Sequence, residues 1–240
     1  MHDTVRTGEG LGIHEHILES GIAPEIRRVL SQVTPTPRTR GPRMDPETAK
    51  MEIARRQREI MEILGLDLAD DSLAETPERV AKMYVDEIFR GLRDENFPKI
   101  TVVENKMGYA QMLVETNITF DSTCEHHFLP ILGKAHVAYV PKDLVLGLSK
   151  FNRVVEFFAK RPQVQERATV QIREALAGLL ETDDVAVVVD AMHCCVRTRG
   201  IGDQGTVTRT SSLSGAFRSD SSLRQEFFAA LPSPDRLRID

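Results

Sequence analysis

Six side chains in two short stretches carry the clearest chemistry in this sequence. Ser122-Thr-Cys-Glu-His-His-Phe128 holds Cys124, His126 and His127 within four positions. Met192-His-Cys-Cys-Val-Arg-Thr-Arg199 holds His193, Cys194 and Cys195. Thiolate and imidazole are ligands that zinc prefers, and a cluster built from two distant stretches is a common form of catalytic zinc site. Two cysteines and one histidine would leave the fourth position open to water. The remaining histidines would be free for proton transfer. The spacing is not the paired CxxC of a structural zinc ribbon, and it lacks the HxE and PCxxC pairing of the zinc nucleobase deaminases.

A second group of residues suits an anion. Gly147-Leu-Ser-Lys-Phe-Asn-Arg153 opens a helix, where free backbone N–H groups and the dipole favour negative charge. Ser149 reads as its N-cap, and Lys150 and Arg153 lie one turn apart. Arg197 and Arg199 follow directly on the second metal stretch. Gln165 and Glu166 open the next helix, where a carboxylate facing a pocket can accept two N–H groups, as a guanine edge would offer. Arg79, taken alone, reads as a surface charge.

The surrounding elements must bring these residues together. Residues 1–44 read as a loosely organised, flexible N-terminal arm, rich in Pro and Arg over residues 34–43, with a short helix within residues 13–30. Residues 45–99 read as a helical region. Asp45-Pro46 starts one helix with Ala49, Ile53, Ile60, Ile63 and Leu64 on a face, and Gly65 ends it. Thr76-Pro77 starts another that runs to Phe89, closed by Gly91. From residue 100 to 240 the pattern is α+β. Residues 111–120 and 133–140 read as strands, followed by helices over 149–158 and 164–179, a buried strand from Val185 to Val196, and a last strand over 206–212. That order predicts an antiparallel sheet with helices on one face. Period two along the buried strand puts His193 and Cys195 on one face and Cys194 on the other.

The formal net charge of −5 argues against a general nucleic-acid binder. No apolar run approaches a membrane span, and three cysteines make no disulfide framework. A reducing, cytoplasmic setting is expected.

Four motifs, in order, closely resemble the GTP cyclohydrolase I family. They are Ser122-Thr-Cys-Glu-His-His-Phe, Gly147-Leu-Ser-Lys-Phe-Asn-Arg, Arg161-Pro-Gln-Val-Gln-Glu-Arg, and Met192-His-Cys-Cys with Arg199-Gly-Ile. The resemblance runs from about residue 76 to the C-terminus. It implies the tunnelling fold, a four-stranded antiparallel sheet with two helices in the order ββααββ, preceded by the helical region. It implies a homodecamer of two pentamers, with active sites at subunit interfaces. The implied reaction converts GTP and water to 7,8-dihydroneopterin triphosphate and formate. Carried over residue by residue, Cys124, His127 and Cys195 would hold Zn2+, and His126 and His193 would transfer protons. Glu166 with Gln165 would anchor guanine. Ser149, Lys150, Arg153 and Arg199 would meet the triphosphate and ribose, and Arg79 would reach phosphate from a neighbouring subunit. The resemblance departs at Cys194, where the family carries a larger, often aromatic or thioether, residue.

Overall fold

The computed structural model describes residues 23–38 and 43–234. In chain order they form α1 (Pro24–Gln32), α2 (Pro46–Ile63), α3 (Thr76–Lys82), β1 (Val102–Glu104), β2 (Leu113–Cys124), β3 (Pro130–Tyr139), β4 (Leu144–Leu146), α4 (Leu148–Ala159), β5 (Pro162–Gln163), α5 (Gln165–Leu180), β6 (Val185–His193), α6 (Cys194–Arg197), β7 (Thr208–Leu213), α7 (Ala216–Ser219) and α8 (Ser221–Ala230). This is a mixed α/β chain. The main sheet has the order β5-β2-β3-β6-β7, antiparallel except that the two-residue β5 runs parallel to β2.

Alternation sorts the sheet's two faces. Ile131, Ala135, Val137 and Tyr139 of β3 and Val185, Val187, Val189 and Ala191 of β6 share the main core with Phe151, Val154, Val155 and Phe158 of α4 and Ile172, Leu176 and Leu179 of α5. The even-numbered Ala138, Ala186 and Val188 face the other way and pack on Phe217 and Phe227. Both faces therefore carry helices at one end, which corrects the one-face expectation. The chain after residue 213 holds α7 and α8, whose aromatic residues supply that second cover. Under it, Asp190 takes both a bidentate contact from Arg209, at 2.7 and 2.7 Å, and a 3.5 Å contact from His136 Nε2. Burial raises the Asp190 pKa, but the Arg209 and His136 hydrogen bonds outweigh it and hold the carboxyl below its usual range.

Several local expectations change. The Asp45 side chain does cap α2, accepting from Thr48 N at 3.0 Å, and Gly65 follows the helix with φ +77°. The apolar residues Ile60, Ile63 and Leu64, however, stay exposed, and Met61 is the buried residue of that helix. After α3 the helix widens to π geometry over Met83–Ile88 instead of continuing as α. The residue at the cap position of α4 is Gly147, with no side-chain bond, and Ser149 lies inside the first turn. Gly91 has no need of a left-handed backbone. It is needed for close approach, because a Cβ there would lie 2.1 Å from Phe157 O.

Within the stretch expected to be a loose arm, α1 buries Ile26 and Val29 against the main core. The polar residues that follow are tied down by hydrogen bonds. Thr34 N donates to Glu174 at 2.6 Å, and Gln171 Nε2 donates to Thr34 O at 2.7 Å. The buried Arg161 donates to Thr36 Oγ1 and lies over the Phe157 and Phe158 rings at 4.5 and 4.7 Å. Burial lowers its pKa to about 10, and Arg38 and Arg43 add to the effect. Composition missed the anchoring of residues 34–36 because polar groups, not apolar area, supply it there. The helix expected within residues 13–30 is observed only from Pro24, and its earlier part lies outside the described residues.

Two expected outcomes follow from packing. Gly91→Ala should cost about 2 kcal/mol by overpacking, read as a fall of roughly 4–8 °C in thermal midpoint. Gly108→Ala, where φ is +63° but nothing lies within 4 Å, should cost about half as much. Asp190, with its depressed folded pKa, adds stability above its unfolded pKa that is lost as pH falls through the folded value. Arg209→Met removes the main opposing partner. It should destabilise by about 3 kcal/mol near neutrality, and this deficit relative to the unmutated protein should shrink as pH falls and Asp190 is protonated, as measured by urea unfolding across pH.

Candidate metal and nucleotide site

Two strand ends meet at one edge of the sheet. β2 ends at Cys124 and β6 ends at His193, with β3 between them, and Ile131 pairs with both Ser122 and His193. The loop Glu125–Leu129 then turns back into β3. Its path is pinned by backbone bonds from Cys124 N to Leu129 O, from Phe128 N to Cys124 O, and from Glu125 N to Gln163 O. Phe128 adopts φ +54°, and its ring packs on Phe89 and Tyr84, centroids 5.2 and 6.2 Å away. The π-helical segment therefore braces the loop, in keeping with the frequent placement of such segments near functional sites.

The ligand atoms of Cys124, His127 and Cys195 all lie within 4.8 Å of one another. Cys124 Sγ is 3.9 Å from His127 Nδ1. A tetrahedral zinc with ordinary bond lengths would separate such a pair by roughly 3.6 Å, so the donor set fits in type and spacing. His126 Nδ1 is 3.8 Å from Cys124 Sγ, but it joins no such three-ligand group among the described residues. Burial pushes the Cys195 thiol pKa up, and the Cys124 thiol beside it pushes the same way. Two crowded thiols are what a divalent cation would convert to paired thiolates.

The route by which Cys195 arrives differs from expectation. β6 stops at His193, and Cys194–Arg197 is a single helical turn. The residues are thus spaced by helical rotation, and the two-residue period that was expected to select Cys195 over Cys194 does not apply there. Cys194 and Cys195 are both half-buried free thiols.

The first turn of α5 lies under this edge. Gln165 is buried, with its amide nitrogen 2.9 Å from both Val189 O and Thr208 O and its oxygen 2.8 Å from His193 Nε2. Burial lowers the His193 pKa, and Glu166 opposes the shift. Glu166 itself is exposed. Arg167 forms a bidentate pair with Glu125 at 2.5 and 3.2 Å, and Arg167 holds that carboxyl below its usual range. Sequence reasoning passed over Glu125 and Arg167. The only available signal was a charge inside each of two motifs already in use.

The expected phosphate-binding residues divide. Arg199 Nη1 lies 2.8 Å from His127 Nε2, which places a cation beside the metal-type cluster. Ser149, Lys150 and Arg153 sit on α4 at the opposite end of the sheet, where the neighbouring Asn152 bonds Glu115 near the start of β2. Glu115 and Cys124 are nine positions apart on β2, less than about 30 Å along the strand because of the bulge between Glu115 and Ile118, and the other end of α4 meets Ser122, whose Oγ donates to Ala159 O. Arg153 instead borders a cleft of about 550 Å³ with Arg90, Arg93 and Glu156. Arg79, on α3, is exposed and paired with Glu75 at 2.7 Å.

Comparison with known proteins identifies the family. The family model for GTP cyclohydrolase I matches residues 53–232. The chain is 53% identical to GTP cyclohydrolase 1 of Pectobacterium carotovorum subsp. carotovorum over 223 residues, covering 93% of this chain and 96% of that protein. It is 53% identical to GTP cyclohydrolase 1 of an Enterobacter species over 91% of this chain and 94% of that protein. With GTP cyclohydrolase 1 of Yersinia enterocolitica the identity is 52% over the same shares. The metal-type cluster, its order along the chain and this similarity through nearly the whole length show that the chain belongs to the GTP cyclohydrolase I family and is an enzyme of that family.

Proposed function

We propose that the enzyme uses zinc, held by Cys124, His127 and Cys195, to convert GTP and water to 7,8-dihydroneopterin triphosphate and formate. The convergence of those three ligand atoms within 4.8 Å is the observation that carries the reading. The observed strand and helix order fits the tunnelling fold implied by the motifs. The ion supplies Lewis acidity and a water acidified to a pKa of about 7.

The chain's own residues do the remainder. Guanine C8 is a poor electrophile until N7 gains a proton, and His126 or His193 supplies it. Glu166, exposed at the first turn of α5, accepts the guanine N–H pair and orients C8 towards the metal ligands. Gln165 stands beside it, buried, and contributes from below. Hydration at C8 opens the imidazole ring to a formamide, and a second hydrolysis releases formate. The ribose then opens and rearranges, and its carbonyl condenses with the freed amine, returning one water. Each step moves protons, so two free imidazoles serve the sequence.

The triphosphate is a remote handle. Arg199 is the cation at the metal end. Ser149, Lys150 and Arg153 lie towards the end of α4 away from Cys124, and Arg153 borders a cleft with Arg90, Arg93 and Glu156. This supports sites completed between copies, with Ser149, Lys150, Arg153 and also Arg79 reaching a neighbour's metal centre. A homodecamer of two pentamers satisfies that requirement and protects the edge strand β7. Free thiols in the ligand set require a reducing compartment, which favours the cytoplasm.

Metal-replete protein incubated with GTP should release formate and, after oxidation, a fluorescent pterin. The absence of both products would overturn the reading. Cys195→Ser should lose zinc and reduce turnover by more than about 100-fold, beyond the effect of residues that merely support a ligand. Cys194→Ser should keep its zinc, measured by metal analysis. Equal zinc loss in the two variants would refute the ligand assignment.

A further inference from the structure

The hydrogen bonds beneath His193 have a direction that chemistry determines. Thr169 Oγ1 lies 2.8 Å from Gln165 O, which can only accept, so the Thr169 hydroxyl proton goes there. Thr210 Oγ1 lies 2.6 Å from Thr169 Oγ1, so Thr210 must be the donor of that bond. The lone pairs of Thr210 Oγ1 are then open to Gln165 Nε2, 3.1 Å away. The same nitrogen lies 2.9 Å from Val189 O and from Thr208 O. Turning the amide over would set its oxygen against two carbonyl oxygens and would leave its NH2 facing the ring. The NH2 therefore faces the strands, and Oε1 faces His193 Nε2 at 2.8 Å. An oxygen with no proton to give requires one from its partner.

We propose that Gln165 is a positioning residue that fixes His193 with its ring proton on Nε2, leaving Nδ1 as the nitrogen that exchanges protons with substrate. This deepens, and rests on, the reading of His193 as a proton-transfer residue. Both strands that flank the amide are part of the arrangement. Val189 and Thr208 lie on β6 and β7, and His193 ends β6, so one buried side chain sets the strand pair and the ring together. The inference changes the part assigned to Gln165, whose amide groups are all engaged inside the protein. Its influence on guanine passes through His193. A neutral imidazole with free choice of tautomer would present a base in only part of the population. Fixing Nε2–H makes every neutral His193 competent at the same atom.

The test is magic-angle-spinning NMR of zinc-loaded protein carrying 15N-histidine, with His193 assigned by the loss of its signals in His193→Asn. Wild-type protein should show a pyrrole-type Nε2 and a pyridine-type Nδ1, and the reverse pattern would overturn the proposal. Gln165→Met should mix the tautomers and lower kcat about tenfold, with KM for GTP changed less than about twofold. Gln165→Glu, with its strand-side oxygen protonated against Val189 O and Thr208 O, keeps an acceptor for Nε2–H and should restore the single tautomer. An unchanged single tautomer in Gln165→Met would also overturn the proposal. Mixed tautomers with unchanged kcat would sustain the tautomer assignment and reject His193 as a proton carrier, so the two readings fail separately. The wild-type spectrum decides the tautomer even if neither variant folds.

Discussion

The register of β3 is the constraint on which the site depends. Ile131 stands opposite Ser122 on one side and His193 on the other. That double pairing brings the ends of two strands, about 70 residues apart in sequence, to one edge. Slipping either pairing by one residue would turn every side chain to the other face. The core resists such a slip, because the odd positions of β3 and β6 are buried against α4 and α5, while the even ones pack on Phe217 and Phe227. Gly133 allows no alternative either. A Cβ there would sit 2.3 Å from Asp190 O, so the sheet closes tightly just where the site begins. Catalytic geometry is in this sense a by-product of hydrophobic sorting.

The first turn of α5 converts that register into chemistry. Three consecutive residues point to three different partners: Gln165 to His193, Glu166 to the open side, and Arg167 to Glu125 in the metal-ligand loop. Helical rotation of about 100° per residue gives neighbours different directions, which a strand could not do with three in a row. The loop is held from the far side as well, by Phe128 against Tyr84 and Phe89. Rigid elements thus hold both flanks of a loop whose own histidines are exposed.

Much of this was legible in the sequence, for reasons that can be named. The cysteines and histidines of 124–127 and 193–195 are chemically distinctive, so their types pointed to a metal, while the choice of Cys124, His127 and Cys195 came from the family resemblance. The valine run at 185–189 could hardly be anything but a buried strand. The start of α2 was marked by Asp45 and Pro46, which act locally. What failed was information that is not local. The end of β6 at His193 cannot be read from Met-His-Cys-Cys, because strand and helical turn are both open to those residues. The second cover on the sheet, α7 and α8, lacked a strong period. The anchoring of residues 34–36 depends on Gln171, Glu174 and Arg161, more than a hundred positions away, and polar composition alone looks the same whether it is solvated or paired.

The separation of the basic residues bears on assembly by geometry alone. A nucleoside triphosphate spans far less than the length of β2, yet Ser149, Lys150 and Arg153 lie at one end of that strand and the metal ligands at the other. Either these cations serve some other anion, or they serve a neighbour's nucleotide. The exposed C-terminal end of α2 favours the second, since Ile60, Ile63 and Leu64 are large apolar groups left in water by the isolated chain. A chain that leaves an apolar helix end uncovered and a basic helix start away from its metal lacks two things that copies of itself can supply. One association can remove both deficits, and it would make the buried area that stabilises the assembly also the means by which each active site acquires its phosphate grip.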